Sequence, residues 1–478
     1  MKHLVLHTFA AVLCAFACGC RTSYKDAVAA RNDMIYGSGE YAVRRATNMV
    51  NSVVNKQLGH MELGRIRMLQ GDFTASSSFM APQLEDLFDD SNEGPILKKG
   101  VVAGNILAAT LGDDRASPYQ LPAFELLLGL QYQAVNSLCL GKPDDARVYI
   151  MRATAAQTQI KEEIEEAHAK DTEDEPDADA QKYAANSNKA LSDISQKLDP
   201  VANAVRASYE NALAWYLMGL FLEKENDPSN AAIAYKEAAA ISPAISSCTK
   251  APGKGGRDVI VVYEEDFVDM KEPIKIPLPF GGTVWGVDFP VYNAPAKIPS
   301  HVNVEVGGAL SATCVPVVNV QALAYRDLKD HLPGIVTRNI TRAAVKIAAQ
   351  QVANHVNTGN SYANLAIQLG VLAYNTTRTV IDEADTRAWQ TVPEHVHLAR
   401  LGVPATAKSL TLRNTSTGRS CDIPLPDGAG TTIVWFTDAR GFATVTVMPF
   451  KRQGAATWAR TESLLAPPPM PHTTRPRT

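Results

Sequence analysis

The residues that could carry chemistry in this chain are few and widely spaced. His395 and His397 alternate within an apolar run, so a strand there would place both imidazoles on one face. Two such imidazoles begin a metal site, but zinc needs three or four protein ligands and no third one stands close in the sequence. We therefore predict no metal and no cofactor, and we interpret the pair as structural.

A second group of candidates lies in the segment EADTRAW, residues 383–389. Asp385 and Arg387 could form an ion pair that Trp389 covers. The pair suits a ligand-binding or partner-binding site, and it also suits a capping and ion-pair network that joins a helix to a sheet, which we favour. The remaining candidates for partner contacts are charged residues of one upstream segment: Asp327, Lys329, Asp330 and Arg338.

Sequence patterns typical of enzymes are absent from the chain. It contains no G-x-S-x-G elbow, no H-E-x-x-H pair and no dinucleotide-binding fingerprint. The glycine-rich segment 251–258 lacks the spacing of a phosphate-binding loop, and the acidic segment 161–180 lacks the ligand order of a calcium loop. We therefore predict that the protein is not an enzyme. Lone carboxylates that the sequence cannot pair leave glycosidase-type chemistry open.

One cysteine has a clear chemical role. Lys2 and the apolar run Leu4–Phe16 read as the first parts of a signal peptide. The residues Ala17–Cys20 then resemble the lipobox of bacterial lipoproteins, in which the last cysteine is diacylated and becomes the new amino terminus. We predict a signal peptide at 1–19 and lipid on Cys20, with an ordinary signal peptide cut nearby as the alternative.

Lipid on Cys20 would hold the protein at the bacterial envelope. Each buried methylene contributes ~0.8 kcal/mol, so several acyl chains anchor a protein stably. Arg21 stands where inner-membrane lipoproteins of enteric bacteria often carry Asp, which favours the outer membrane, facing the periplasm, over the inner membrane. The formal net charge of -4 provides no basic field for a phosphate backbone, so we exclude nucleic acid as a partner.

Four cysteines remain beyond the predicted signal peptide and Cys20: Cys139, Cys248, Cys314 and Cys421. They are far apart and form no C-x-x-C or Cys/His cluster, which argues against a zinc or thioredoxin-type site. Disulfides among them stay open in an oxidising periplasm, and we favour four buried thiols that pack as small apolar side chains.

The elements that must position these residues begin with helices. Apolar residues recur at three- and four-residue spacing over the first half, which predicts a helical domain at 20–250 with an acidic linker at about 170–180. The segment Trp215–Pro243 resembles a tetratricopeptide repeat (TPR), because Gly219 and Ala231 are small where two helices approach closely. Weaker units of this kind are Leu63–Met80 and Ala123–Ala156.

Alternating strand patterns dominate the second half. They predict a β-rich, sandwich-like domain at 257–450, interrupted by a helical insertion at about 320–385 in which Pro333 begins a new helix. The proline-rich segment 465–478 is typical of a disordered tail. The expected fold class is therefore α+β and multidomain, with TPR-like helices before a mixed β-rich domain.

Several ordered motifs of the second half resemble one family. VVYEEDF, IPLPFGG, FPVY, YRDLKDHLPGIVTRNITRAAVK and ADTRAW are similar to the motif series of an uncharacterised bacterial lipoprotein family with amino-terminal TPR-like helices. The family pattern reads YEEGF, KDLKDRLPGIVTR and ADTRSW, so Asp266 and Ala388 stand where it has Gly and Ser. The resemblance implies no established activity. It implies a role near cell-wall synthesis, beside lipoprotein activators of penicillin-binding proteins.

These observations favour a membrane-anchored, periplasm-facing interaction scaffold of the cell envelope. Stacked helix pairs present a concave surface that suits a peptide or protein, and the predicted partners are penicillin-binding proteins or their lipoprotein activators. The alternative is an envelope enzyme or ligand-binding protein that uses a cleft in the second half. Perturbed pKa values of Asp385 and Arg387 within such a cleft would favour that alternative.

Overall fold

A computed structural model describes residues 23–91, 94–98, 117–171, 184–253, 256–280, 283–355, 384–428, 430–450 and 456–460. Several predicted features lie outside the described residues: the signal peptide at 1–19, Cys20, most of the acidic linker, residues 356–383 of the insertion and the tail at 465–478.

The first half is helical, as predicted. Its helices are α1 (Ser23–Ile35), α2 (Gly39–Val50), α3 (Lys56–Leu69), α4 (Phe73–Glu85), α5 (Ala123–Cys139), α6 (Pro143–Asp171), α7 (Ala184–Ala202), α8 (Ala212–Lys224) and α9 (Pro228–Ile241). A short hairpin of β1 (Phe88–Ser91) and β2 (Gly94–Leu97) lies between α4 and α5, and a 3₁₀ turn at Pro243–Cys248 follows α9.

Local sequence explains where several of these helices begin. The side chains of Asp72, Asn211 and Asp227 each accept a hydrogen bond from a backbone N–H in the first turn of α4, α8 and α9, respectively. Such caps satisfy one of the four N–H groups that a helix leaves unpaired at its start. Gly71 and Gly141 have positive φ angles of 79° and 72° in the turns before α4 and α6, where a side chain would be strained.

The helices form hairpins that pack closely at small residues. A Cβ atom added to Gly219 on α8 would lie 2.6 Å from the Tyr235 ring on α9. A Cβ atom added to Gly64 on α3 would lie 2.5 Å from the Met80 side chain on α4. These glycines are the positions at which the two helices of each hairpin come into contact, and Ala231 on α9 is buried beside them.

The second half contains one large sheet and one separate hairpin. The large sheet is formed by β3 (Gly256–Phe267), β6 (Val302–Val306), β7 (Ala309–Asn319), β8 (Pro393–Pro404), β9 (Ser409–Asn414), β10 (Arg419–Pro424), β11 (Thr431–Ala439), β12 (Phe442–Pro449) and β13 (Thr457–Arg460). The separate hairpin consists of β4 (Glu272–Phe280) and β5 (Thr283–Val291).

The large sheet has the strand order β10-β9-β6-β7-β8-β3-β11-β12-β13. Its pairs are antiparallel except for β3 with β11. Val261 on β3 and Val434 on β11 share an apolar cluster with Leu412 on β9 and Ile423 on β10, although β9 and β10 lie at the far end of the strand order. The sheet therefore curls until it is nearly barrel-shaped, as accumulated strand twist allows.

This curl corrects the predicted sandwich. The strands form one continuous sheet because β6 pairs with β9 on one side and with β7 on the other, and β7 then pairs with β8. Two stacked sheets would need this chain of backbone hydrogen bonds to be interrupted. The α+β class itself is confirmed.

The outer face of the sheet packs against the helices. Ile260 and Val262 alternate with the inward-facing Val261 along β3, and they join an apolar core that contains Tyr132 of α5 and Trp389. Helices and sheet thus share a continuous core among the described residues, and the boundaries proposed for separate domains stay a prediction.

The insertion begins with one long helix, α10 (Val320–His355), and Pro333 lies inside it. The prediction that Pro333 begins a new helix is wrong. A proline in a helix interior costs ~3 kcal/mol or more. Pro333 is exposed, while its neighbours Leu332, Val336 and Ile340 are buried, and their packing holds the helix continuous past the missing hydrogen bond. α10 packs against α7 and against β5 and β8.

Asp266 near the end of β3 has a φ angle of 49°. This left-handed conformation favours glycine, and Asp is among the residues that tolerate it. The glycine of the YEEGF-like pattern therefore falls on a position with a backbone that suits glycine. Asp266 stabilises the turn through its own side chain, which accepts a hydrogen bond from the backbone N–H of Phe267.

Cys139, Cys248, Cys314 and Cys421 are free thiols, and all except the half-buried Cys139 are buried. This agrees with the interpretation as small apolar side chains. No helix in the described part of the chain is long and apolar enough to span a bilayer.

Candidate functional site

The segment 384–392, which we call the latch segment, leads into β8 and is held by two buried acids of the helical half. Glu62 on α3 accepts a hydrogen bond from the Gln390 backbone N–H at 2.5 Å. Glu125 on α5 accepts one from the Trp389 backbone N–H at 2.9 Å. Side-chain carboxylates therefore satisfy backbone groups that no strand pairs.

Both acids are unusually weak. Burial raises the pKa of Glu62 to about 8, outweighing its hydrogen bonds from Gln390 and Thr391. Burial likewise raises the pKa of Glu125 to about 7, against the hydrogen bonds from Tyr119 and Trp389. Perturbed acids often mark functional sites. Here both carboxyls are fully buried against the backbone that they hold, so the arrangement locks a segment and offers no space to a substrate.

Asp385 and Arg387 form an ion pair, with 2.7 Å between Arg387 Nη2 and Asp385 Oδ2. Arg387 Nη1 also donates to the backbone carbonyl oxygens of Val54, at 3.1 Å, and Ser117, at 3.0 Å. Burial opposes ionisation of Asp385, but the Arg387 guanidinium outweighs it and lowers the pKa of the carboxyl. This is the ion-pair network between helices and sheet that the sequence favoured.

Trp389 lies in the core below this pair. It is 0% exposed, its ring meets Tyr132 edge-on with 5.7 Å between centroids, and its indole N–H donates to Thr391 Oγ1. A partner molecule could contact Trp389 only if the latch segment opened.

The charged candidates on α10 make intramolecular contacts. Lys329 Nζ lies 2.8 Å from Asp199 Oδ1 on α7, and Asp330 pairs with Arg326 one turn away. Asp327 is buried beside His331, and Arg338 is half-buried. The structure does not bring these four residues together with Asp385, Arg387 and Trp389 by any contact between side chains that it describes. Their role in partner binding stays a prediction.

His395 and His397 lie on one face of β8, with 6.5 Å between ring centroids. His397 Nε2 forms a hydrogen bond of 2.8 Å with Glu265 Oε2 on β3. Among the described residues, no group of three or more His, Cys, Asp or Glu is arranged to hold a metal ion. The two histidines therefore have separate surroundings.

The most open concave site in reach of a titratable residue is the junction groove. It has a volume of about 460 Å³ and lies where the helical half meets the end of β7. Its lining residues are Ala204, Val205, Arg206, Glu210, Ala240, Ile241, Ser242, Pro243, Pro299, Pro316, Val317, Val318, Asn319, Leu323 and His395. Pockets of this size hold small molecules or single side chains of a partner.

His395 is the buried polar side chain of the groove. It is 2% exposed, and its Nε2 atom has no hydrogen-bond partner within the described structure. Leaving a buried polar atom unpaired costs ~1–3 kcal/mol. Burial also lowers the pKa of His395 to about 4, so the imidazole is neutral at physiological pH. A bound molecule could restore the missing hydrogen bond.

The rim of the groove carries charge, and its walls do not. Arg206 pairs with Glu210 at 2.8 Å and donates to the backbone carbonyl oxygen of Ala240 at 3.2 Å. The walls are apolar and include three prolines, Pro243, Pro299 and Pro316. The groove is therefore an apolar slot with a neutral imidazole inside it and an ion pair at its mouth.

Sequence reasoning placed His395 on a strand but missed the groove. The reason is that β7 was not predicted: Pro316 interrupts its pattern, and the pairing of β7 with β8 shifts register between Pro316 and Val318. A bulge of this kind re-aims side chains near a strand end. A proline within an otherwise apolar run, just before a helix, was the available signal.

Comparisons with protein-family models, with curated protein sequences and with solved structures find no match to this chain.

Proposed function

We propose that this protein is a lipid-anchored binding protein of the bacterial envelope and that its junction groove holds a segment of a protein partner. The observation that carries the proposal is His395, a buried residue with an unpaired Nε2 atom in an apolar groove of about 460 Å³. Unfilled hydrogen-bonding capacity in a concave apolar site is typical of a binding pocket.

The helical half supports the scaffold form of this proposal. We propose that its hairpins are TPR-like units, with Trp215–Pro243 as the clearest one. The close contact of Gly219 with Tyr235 and the burial of Ala231 are the features that this kind of repeat requires. Helices α8 and α9 then form one wall of the groove, because residues 240–243 line it.

The location and the partners rest on sequence resemblance. The lipobox-like residues ending at Cys20 support an anchor in the outer membrane, facing the periplasm, and the motif series supports membership of the uncharacterised lipoprotein family. Penicillin-binding proteins or their lipoprotein activators are the proposed partners. An anchor that holds two partners at one surface raises their effective concentration without any chemistry.

The test is crosslinking in membranes with the tagged, full-length chain, followed by purification and mass spectrometry. Ala240→Trp places a large side chain at the groove, and Ala232→Trp places the same side chain on an exposed position of α9 outside it. We expect envelope proteins of the penicillin-binding class to be enriched with the wild type and with A232W, and to be lost with A240W.

Two outcomes would count against the proposal. Enrichment no greater than that of an unrelated tagged lipoprotein would remove the cell-wall partners. Equal enrichment with A240W and A232W would show that the partner uses a different surface, and the groove would lose its assigned role.

A second candidate function is an envelope enzyme that works in the same groove. The observation that favours it is the neutral imidazole of His395, which could act as a general base at pH 7. Incubation of the purified chain with peptidoglycan sacculi tests this candidate. Soluble products that disappear with His395→Asn would support it, whereas no product from the wild type would leave the binding function.

A further inference from the structure

We propose that the junction groove binds an aromatic side chain that carries a hydrogen-bond donor, a tyrosine or a tryptophan presented by the partner. The inference deepens the proposed function and rests on it for the partner, but not for the chemistry of the groove. His395 Nε2 would accept the hydrogen bond from the phenol O–H or the indole N–H.

The ligand must donate because His395 is arranged to accept. Its Nδ1 atom lies 4.0 Å from Glu394 Oε1, so this carboxyl favours the proton on Nδ1. With the proton on Nδ1, the Nε2 atom carries a lone pair and becomes the acceptor. A ligand that offered only acceptors would leave Nε2 unpaired.

The ligand must also be uncharged. Burial holds His395 neutral, and the nearby carboxylates already have cationic partners: Lys297 lies 2.7 Å from Glu394, and His397 contacts Glu265. Arg206 at the rim would repel a cation. A charged group placed against the apolar walls would lose its hydration without gaining a counter-ion.

The walls favour a flat ring. Pro243, Pro299 and Pro316 contribute rigid rings without N–H groups, and Val317 and Leu323 complete the apolar surface. Aromatic side chains bury large area at low conformational cost and use a polar tip when one is offered. A volume of about 460 Å³ accommodates one such ring and part of the backbone that presents it.

The experiment measures binding of three side-chain analogues to the full-length chain in detergent micelles. The probes are p-cresol and 3-methylindole, which have a donor, and toluene, which has the same ring as p-cresol without one. Nitrogen-15 labelling of histidine allows long-range NMR spectra to report the Nε2 atom of His395 directly. We expect p-cresol to bind about tenfold more tightly than toluene and to shift the Nε2 resonance.

Variants separate the groove from the imidazole. A240W should lose p-cresol binding, and A232W should keep it. His395→Phe should bind p-cresol and toluene equally, and if that variant does not fold, the comparison of A240W with A232W still decides. Equal affinity of the wild type for p-cresol and toluene, an Nε2 resonance that p-cresol does not move, or unchanged binding by A240W would each overturn the inference.

The two proposals fail in different ways. Donor-selective binding without enrichment of envelope proteins would leave the aromatic pocket and remove the partners. Loss of partners with A240W, together with equal binding of p-cresol and toluene, would leave the docking site and remove the aromatic ligand.

Discussion

Arg65 on α3 forms a salt bridge with Glu264 on β3, and the two side chains are 0% and 1% exposed. The Arg65 guanidinium also lies 4.0 Å above the Tyr132 ring of α5, and Thr437 of β11 donates a hydrogen bond to Glu264 at 2.6 Å. One buried ion pair thus connects two helices to two central strands.

Removing one member of this pair should destabilise the protein strongly. Arg65→Met leaves the Glu264 carboxylate buried without its counter-ion, and we expect a loss of ~3–5 kcal/mol in the free energy of unfolding. Urea unfolding followed by tryptophan fluorescence measures it. The double variant Arg65→Met with Glu264→Leu should recover most of that loss, since no isolated charge remains. A double variant as unstable as R65M alone would contradict the charge explanation.

Close packing of α8 against α9 predicts that Gly219→Ala is harmful although alanine favours helices. The added Cβ atom would meet the Tyr235 ring at 2.6 Å, and Tyr235 is held by a hydrogen bond of 2.9 Å to Glu223. We expect a loss of ~1–3 kcal/mol, the cost of overpacking. The control is Gly253→Ala, which has open space around its Cβ position. Equal stability of the two variants would refute the close contact.

The buried acids of the latch segment predict instability at alkaline pH. Glu62 has a folded-state pKa of about 8, above its ordinary value of 4.5, so its contribution is complete below pH 4.5 and is lost as the pH rises through 8. Each such group adds a slope of up to ~1.4 kcal/mol per pH unit. Glu62→Gln should flatten the decline between pH 5 and 8 in urea unfolding. The exposed variant Glu237→Gln should leave it unchanged.

Arg400 predicts the opposite behaviour in acid. Its guanidinium contacts Glu223 and Asp258, each at 2.7 Å. Burial opposes ionisation of Glu223, but Arg400 outweighs it and lowers the pKa to about 2, so the stabilisation is present above pH 4.5 and is lost as the pH falls through 2.

Arg400→Met should therefore lower stability at pH 7 by ~3 kcal/mol and weaken the loss between pH 4.5 and 2. Calorimetric melting at several pH values measures both effects. Arg413→Met, which breaks an exposed pair with Glu305, serves as the control and should change little. An unaltered acid profile in R400M would show that Glu223 is not the titrating group.

Lipid attachment predicts that Cys20→Ala releases the protein from membranes. The unprocessed or unlipidated chain should migrate differently on gels, and globomycin, which inhibits the lipoprotein signal peptidase, should produce the same change. Cys18→Ala is the matched control and should fractionate as the wild type does. Membrane association that survives both C20A and globomycin would rule out the anchor.

Local patterns in the sequence were sufficient for most elements. Strands β9 and β12 begin and end at the residues that alternation predicted, Ser409–Asn414 and Phe442–Pro449. The three predicted helix pairs are hairpins, since their apolar spacing, caps and turn glycines all act within a few residues. Strands β7 and β10 were missed, because their alternation is weak or interrupted by proline.

The sequence by itself therefore determined the α+β class, the position of most elements, the pairing potential of Asp385 with Arg387, and the case for an anchored protein without enzyme motifs. Tertiary structure decided what depends on distant residues: the curl of one sheet in place of a sandwich, the continuity of α10 through Pro333, and the grip of Glu62 and Glu125 on the latch segment. It also decided where His395 faces, because the groove is formed by residues from 204 to 395. Periodicity reports which face of an element is buried, but only the packed chain shows which surface buries it.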